Sequence, residues 1–159
     1  MPDLPNLKSL HDTLGGLLGR DVRTVLASDM PEDATAGGVL ARSVDDRGGL
    51  QAVAVWDLPA AANIGAAVGL LPRGAAEAAL EDGALASNLV ENLTEVSNVL
   101  AATFNVPGNP HLRLAGTVVP VAGSPAEAQH LARNAWQRLD FDVEVDGYGA
   151  GRIAICMAA

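Results

Sequence analysis

Residues 85–104, LASNLVENLTEVSNVLAATF, constrain this chain more than any other stretch. At about 100° per residue, Leu85, Leu89, Leu93, Val96, Leu100 and Phe104 gather on one side of a helix and predict its core face. Asn88, Glu91, Glu95 and Asn98 fall on the other side, in a stripe about 80° wide. The stripe holds two acids and two amides but no lysine, arginine or histidine. Solvated helix faces usually mix Glu with Lys, because i,i+4 ion pairs support the helix. This face lacks that support. It is either a plain solvated surface or a face kept for a partner, and the helix alone leaves both open.

Composition narrows the classes of function. A chain of 159 residues predicts a single domain. Apolar residues make up 49%, enough for a core, but aromatics only 3%, so Ala, Val and Leu must build it. Ten basic against nineteen acidic residues give a net charge of −9. That argues against a nucleic-acid partner, since phosphate binding needs Lys and Arg. The acidity favours solubility and could steer a basic patch on a partner protein. The lone cysteine, Cys156, rules out an intrachain disulfide and, in an apolar run, is expected to be buried. No stretch is long and apolar enough to span a membrane. The opening MPDLPNLKSLHD lacks the basic start and apolar run of a secretory signal, so the cytoplasm is the expected compartment.

The elements follow from periodicity and punctuation. Leu7, Leu10, Leu14, Leu17 and Leu18 predict a helix over 6–18, stopped at Gly19. DVRTVLAS (21–28) reads as a strand, and 29–38 as a loop. VLARSV (39–44) and LQAVAVWD (50–57) flank DDRGG and predict a hairpin. A helix capped by Asp57, with Pro59 in its first turn, runs toward Pro72, and a short helix occupies 74–82. A strand over 112–121 ends near Pro120. Ser124-Pro125-x-Glu127 looks like the capped start of a helix over 124–134. LDFDVEVD (139–146) alternates, with Leu139, Phe141, Val143 and Val145 facing one way and acids between them. After a Gly-rich turn, RIAICM (152–157) is the return strand. The expected fold class is α+β: an antiparallel sheet with helices packed on one face.

Several chemistries find no residues to carry them. His11, His111 and His130 have no metal-ligand spacing to one another or to Cys156, so no metal site is expected. GYGAG (147–151) lacks the Lys and Ser/Thr of a P-loop, and Asn63-Ile64-Gly65 opens no nucleotide fingerprint, so no cofactor is expected on this chain. There is no G-x-S-x-G elbow. Any catalysis must use carboxylates and amides.

Glu91-x3-Glu95-x2-Asn98, followed after twenty-one residues by Pro120, resembles the signature of the CheC/CheX/FliY family of chemotaxis phosphatases. That signature is Asp or Ser, three residues, Glu, two residues, Asn, then Pro about twenty-two residues on. The likeness spans about residues 57–121, where a short helix precedes the long one as in the family. Two departures stand out: Glu91 replaces Asp or Ser, and Pro120 comes one residue early. The chain carries the signature once, as CheX does.

The resemblance implies an activity. Family members hydrolyse the aspartyl phosphate of a phosphorylated response regulator, a CheY-like receiver. Asn98 would orient the attacking water, and Glu95 would pair with a lysine of the receiver; these are the expected catalytic residues. Asn88 and Glu91 are the candidate substrate-binding residues, Glu91 either making a contact at the rim or simply being solvated. The divalent metal, Mg2+, would come with the receiver. A homodimer is also implied, and the C-terminal strands 139–146 and 152–157 are expected to supply its pairing edge. The alternative is a non-catalytic flagellar-switch-like or scaffold module of the same fold.

Overall fold

The structure, a computed structural model, describes residues 3–28 and 37–159. Most of the loop expected over 29–38 lies outside these residues. Helix α1 (Leu7–Leu18) starts where the Asn6 side chain accepts a hydrogen bond from the Ser9 N–H at 2.8 Å, and it ends at Gly19 in the left-handed region. Strand β1 (Val22–Leu26) follows, and after the undescribed segment β2 (Val39–Val44) and β3 (Leu50–Trp56) form the expected hairpin. Helix α2 (Leu58–Val68) is capped by Asp57, which accepts from the N–H of Ala60 at 2.9 Å and of Arg152 at 3.0 Å. Helices α3 (Arg73–Asp82) and α4 (Ser87–Ala101) come next, and a 3-10 turn extends α4 to Phe104. Strand β4 (Arg113–Val118), helix α5 (Ala126–Arg133) and strands β5 (Gln137–Val145) and β6 (Gly149–Met157) complete the chain.

The six strands form one antiparallel sheet in the order β1-β5-β6-β3-β2-β4. The α+β class is as expected. On one face, α1, α2 and α4 pack Leu10, Leu14, Ile64, Leu93, Val96 and Leu100 against Ala54, Trp56, Phe141, Val143, Ile153 and Ile155. Each large aliphatic side chain so buried contributes about 1.5–3 kcal/mol of transfer free energy. α3 lies outside this layer and meets α2 through Ala76 and Ala79.

The expectation placed the helices on one face, and α5 is the exception. It covers the other face, setting Ala128 and Leu131 over Leu40, Val53, Val55, Ala154 and Cys156. The reason lies in the central strands. β3 and β6 are apolar at successive positions, AVAVW and IAICM, so both sides of the sheet need cover. Cys156 is buried there, as expected. Asp140 is buried too, rather than solvated between the apolar positions of β5. It is held by a two-pronged ion pair from Arg138, at 2.6 and 3.1 Å.

The C-terminal hairpin does not provide a free edge. β5 is paired to β1 and β6 to β3, so the two ends of the sheet are β1 and β4. Ser124 also departs from its expected role: no side-chain hydrogen bond caps α5, and the Ser124 hydroxyl is buried without a partner among the described residues. α2 approaches the backbone of β6 closely at Gly151. A Cβ on Gly151 would overlap the backbone of Ala60. That contact brings Asp57 down onto the Arg152 N–H and fixes the start of α2.

Candidate functional site on helix α4

Helix α4 is positioned from both flanks. On one side, Asn92 donates its amide to the Gly65 carbonyl of α2 at 3.0 Å. On the other, the Thr94 hydroxyl bonds to the Thr117 hydroxyl of β4 at 2.9 Å and to its own Val90 carbonyl at 2.9 Å. Beneath, Leu89, Leu93, Val96 and Leu100 are each at most 2% exposed. Asn92, the core leucines and Thr94 thus anchor the helix on the sides away from the stripe. Neither Asn92 nor Thr94 was singled out in the sequence. Their signal was positional: they are the polar residues at the two borders between stripe and core face.

The four stripe residues are all exposed, as expected. Asn88 is occupied locally, accepting a hydrogen bond from the Leu89 N–H at 3.0 Å near the start of α4. Among the described residues, none makes a hydrogen bond or ion pair to the side chains of Glu91, Glu95 or Asn98. Glu91 and Glu95 lie four apart, a like-charge pairing that costs a helix about 0.2–0.5 kcal/mol. Glu95 and Asn98 lie three apart, about one turn, which puts their Cβ atoms about 5–6 Å from each other. A carboxylate and an amide therefore face outward side by side, with no cation to neutralise the acids.

The cleft of about 410 Å3 between α5 and the C-terminal residues, lined by Leu50, His130 and Trp136, includes none of the four. Nor does the smaller one at Asp21, Arg23 and Glu144. Among the described residues no three His, Cys, Asp or Glu side chains cluster in a way that could hold a metal ion. No helix among them is long and apolar enough to cross a membrane. Pro120, the last signature position, stands exposed just beyond β4, the strand that Thr117 ties to α4.

No family model matches the sequence, and no curated protein matches it. Solved structures do. FliY of Thermotoga maritima matches with a TM-score of 0.62 at 16% identity, over 95% of this chain and 83% of that one. A chain of the CheX–CheY–BeF3–Mg2+ complex from Borrelia burgdorferi gives 0.55 at 10% identity, over 98% of this chain and 100% of its own. A CheC-like chemotactic protein from Shewanella oneidensis gives 0.55 at 14%, over 96% and 94%. This chain has the CheC/CheX/FliY fold. At these identities the likeness is one of fold. In this CheC/CheX/FliY-type structure the signature positions Glu95 and Asn98 share one exposed helix face, supported from α2 and β4.

Proposed function

We propose that the chain is a phosphatase for the aspartyl phosphate of a CheY-like receiver domain, in chemotaxis or a related two-component system. One observation carries the reading: Glu95 and Asn98 stand exposed, one turn apart and unengaged by described residues, on a helix face that a protein substrate could cover. An acyl phosphate is already reactive, so hydrolysis depends mainly on positioning and charge stabilisation. The Asn98 amide has a carbonyl oxygen that accepts from water and an NH2 that donates. It would hold a water in line with phosphorus. Attack forms the new P–O bond as the bond to the aspartyl oxygen breaks, giving inorganic phosphate and the free carboxylate. Glu95 would meet a lysine beside the phosphorylated aspartate and set the register, relieving its repulsion with Glu91. Asn88 and Glu91 would border the contact. The Mg2+ that accompanies the phosphate belongs to the receiver. The protein would act in the cytoplasm as a homodimer, paired through β1, the sheet edge farthest from β4 and α4.

A second reading is a flagellar-switch-like or scaffold module that binds partners without chemistry. It draws on Glu91 in the place of Asp or Ser and on the early Pro120. Phosphate release from a phosphorylated receiver, with and without this protein, separates the two. Acceleration supports the first reading; binding without acceleration supports the second.

A further inference from the structure

We infer that Leu70 is an apolar contact for the receiver, set beside the α4 stripe by the end of α2. The inference rests on the reading of that stripe as a receiver-binding surface. Among the described residues Leu70 is the only non-glycine with a positive φ, at 55°. It closes α2 in a Schellman arrangement: the Leu71 N–H reaches back to the Ala66 carbonyl at 2.9 Å and the Leu70 N–H to that of Ala67 at 3.1 Å. The residue in Leu70's place is normally glycine, because a Cβ is disfavoured in this backbone region. The hydrophobic contact typical of the motif is made by its neighbour, as Leu71 packs against the buried cluster of Ala62, Ala66, Ala76, Ala79 and Leu89. Leu70 itself is 80% exposed. A leucine therefore sits where the backbone would favour glycine, and its side chain leaves the core unchanged.

Its position gives that side chain a use. Gly69 lies against Asn92, so closely that a Cβ there would overlap the Asn92 amide. The Asn92–Gly65 hydrogen bond holds the same turn to α4. On α4, Asn92 borders Asn88 and Glu95, and Val99, 40% exposed, lies four residues beyond Glu95 on that flank. Toward α2 the stripe is thus flanked by Val99 and by the turn that carries Leu70, and toward β4 by the hydroxyls of Thr94 and Thr117. A receiver whose lysine meets Glu95 would place an apolar part of its surface over Leu70. The contact would orient the docked receiver, because the two flanks differ.

Leu70→Gly and Leu70→Asn both suit a positive φ and remove the apolar side chain. Calorimetry would use receiver domains of the source organism trapped with BeF3 and Mg2+. Both variants should bind about tenfold or more weakly than wild type, as expected for losing a buried leucine side chain. KM for phosphorylated receiver should rise similarly, with kcat and Tm held. Wild-type affinity in both variants would overturn the inference and leave the phosphatase reading standing. So would a lowered Tm in both, since Leu70 would then serve the turn. If wild type binds receiver without turnover and the variants bind more weakly, the Leu70 contact stands and the phosphatase reading fails. If wild type binds no receiver, both fail.

Discussion

Glu95 is an exposed carboxylate four residues from another, on a helix face with no cation. In the proposed reading, its pairing is left to a lysine of the receiver. Glu95→Lys should weaken binding to a BeF3-trapped receiver by about tenfold or more, because charge reversal turns a charge-assisted contact into repulsion. Glu95→Ala should weaken it less. The wild-type affinity should fall as salt is added, and the fall should be shallower in Glu95→Ala. Calorimetry across a salt series reads both; unchanged affinity in Glu95→Lys would remove the residue from the interface. Glu95 and Asn98 could be picked out in the sequence because the stripe from Asn88 to Asn98 holds only amides and acids, with no lysine or arginine to support the helix. Leu70 could not, since nothing in GLLP announces which leucine is core. That depended on where α2 ends: Leu71 turns inward and Leu70 is left outside.

At the scale of elements, most helices and strands were readable from periodicity and caps, down to Gly19 and Asp57 at helix ends, while the Asn6 cap of α1 required the structure. The neighbours of the strands were not. Alternation says which side of a strand is buried but not which strand lies beside it, so the insertion of β5 and β6 between β1 and β3 required the structure. The α5 side was hidden for a related reason: unbroken apolar runs in β3 and β6 are compatible with cover on both faces, but no periodic signal demands it.

Two predictions belong here. Gly151→Ala should destabilise the fold by about 1–3 kcal/mol or more, because the added methyl meets the Ala60 backbone, which has no side-chain freedom to yield. A lowered urea midpoint with an unchanged m-value would bear this out. The second concerns Asp57. Burial holds its carboxyl above the ordinary 3.8, against the N–H groups of Arg152 and Ala60 and the Arg152 charge, which pull it down. The folded chain therefore favours the protonated form relative to the unfolded chain. That contribution is complete below 3.8 and is lost as pH rises through the raised folded value. Asp57→Asn keeps an acceptor for both N–H groups and does not titrate. The stability of wild type minus that of Asp57→Asn should therefore fall as pH climbs through this window, then level off. Urea midpoints for both proteins across acidic to neutral pH read it; a difference that grows with pH would contradict the account.

For the whole molecule, the sheet ends at β1 and β4, and α4 lies toward β4. Pairing through β4 would bring a second copy next to the stripe. Pairing through β1, where Val25 and Leu26 are 53% and 63% exposed, would leave both stripes open. Light scattering should show a dimer, and Val25→Lys with Leu26→Lys should shift it toward monomer without loss of phosphatase turnover. A monomer at high protein concentration would contradict the dimer alone. The central claim is that this face catalyses hydrolysis of an aspartyl phosphate. Its most direct test is single-turnover release of phosphate from a phosphorylated receiver domain in the presence of wild type or Asn98→Ala. Wild type should accelerate release, and Asn98→Ala should lose about 10²–10³ of that acceleration while keeping its Tm and its affinity for the BeF3-trapped receiver. Near-wild-type turnover by Asn98→Ala would contradict the site, and no acceleration by wild type on any receiver it binds would contradict the function.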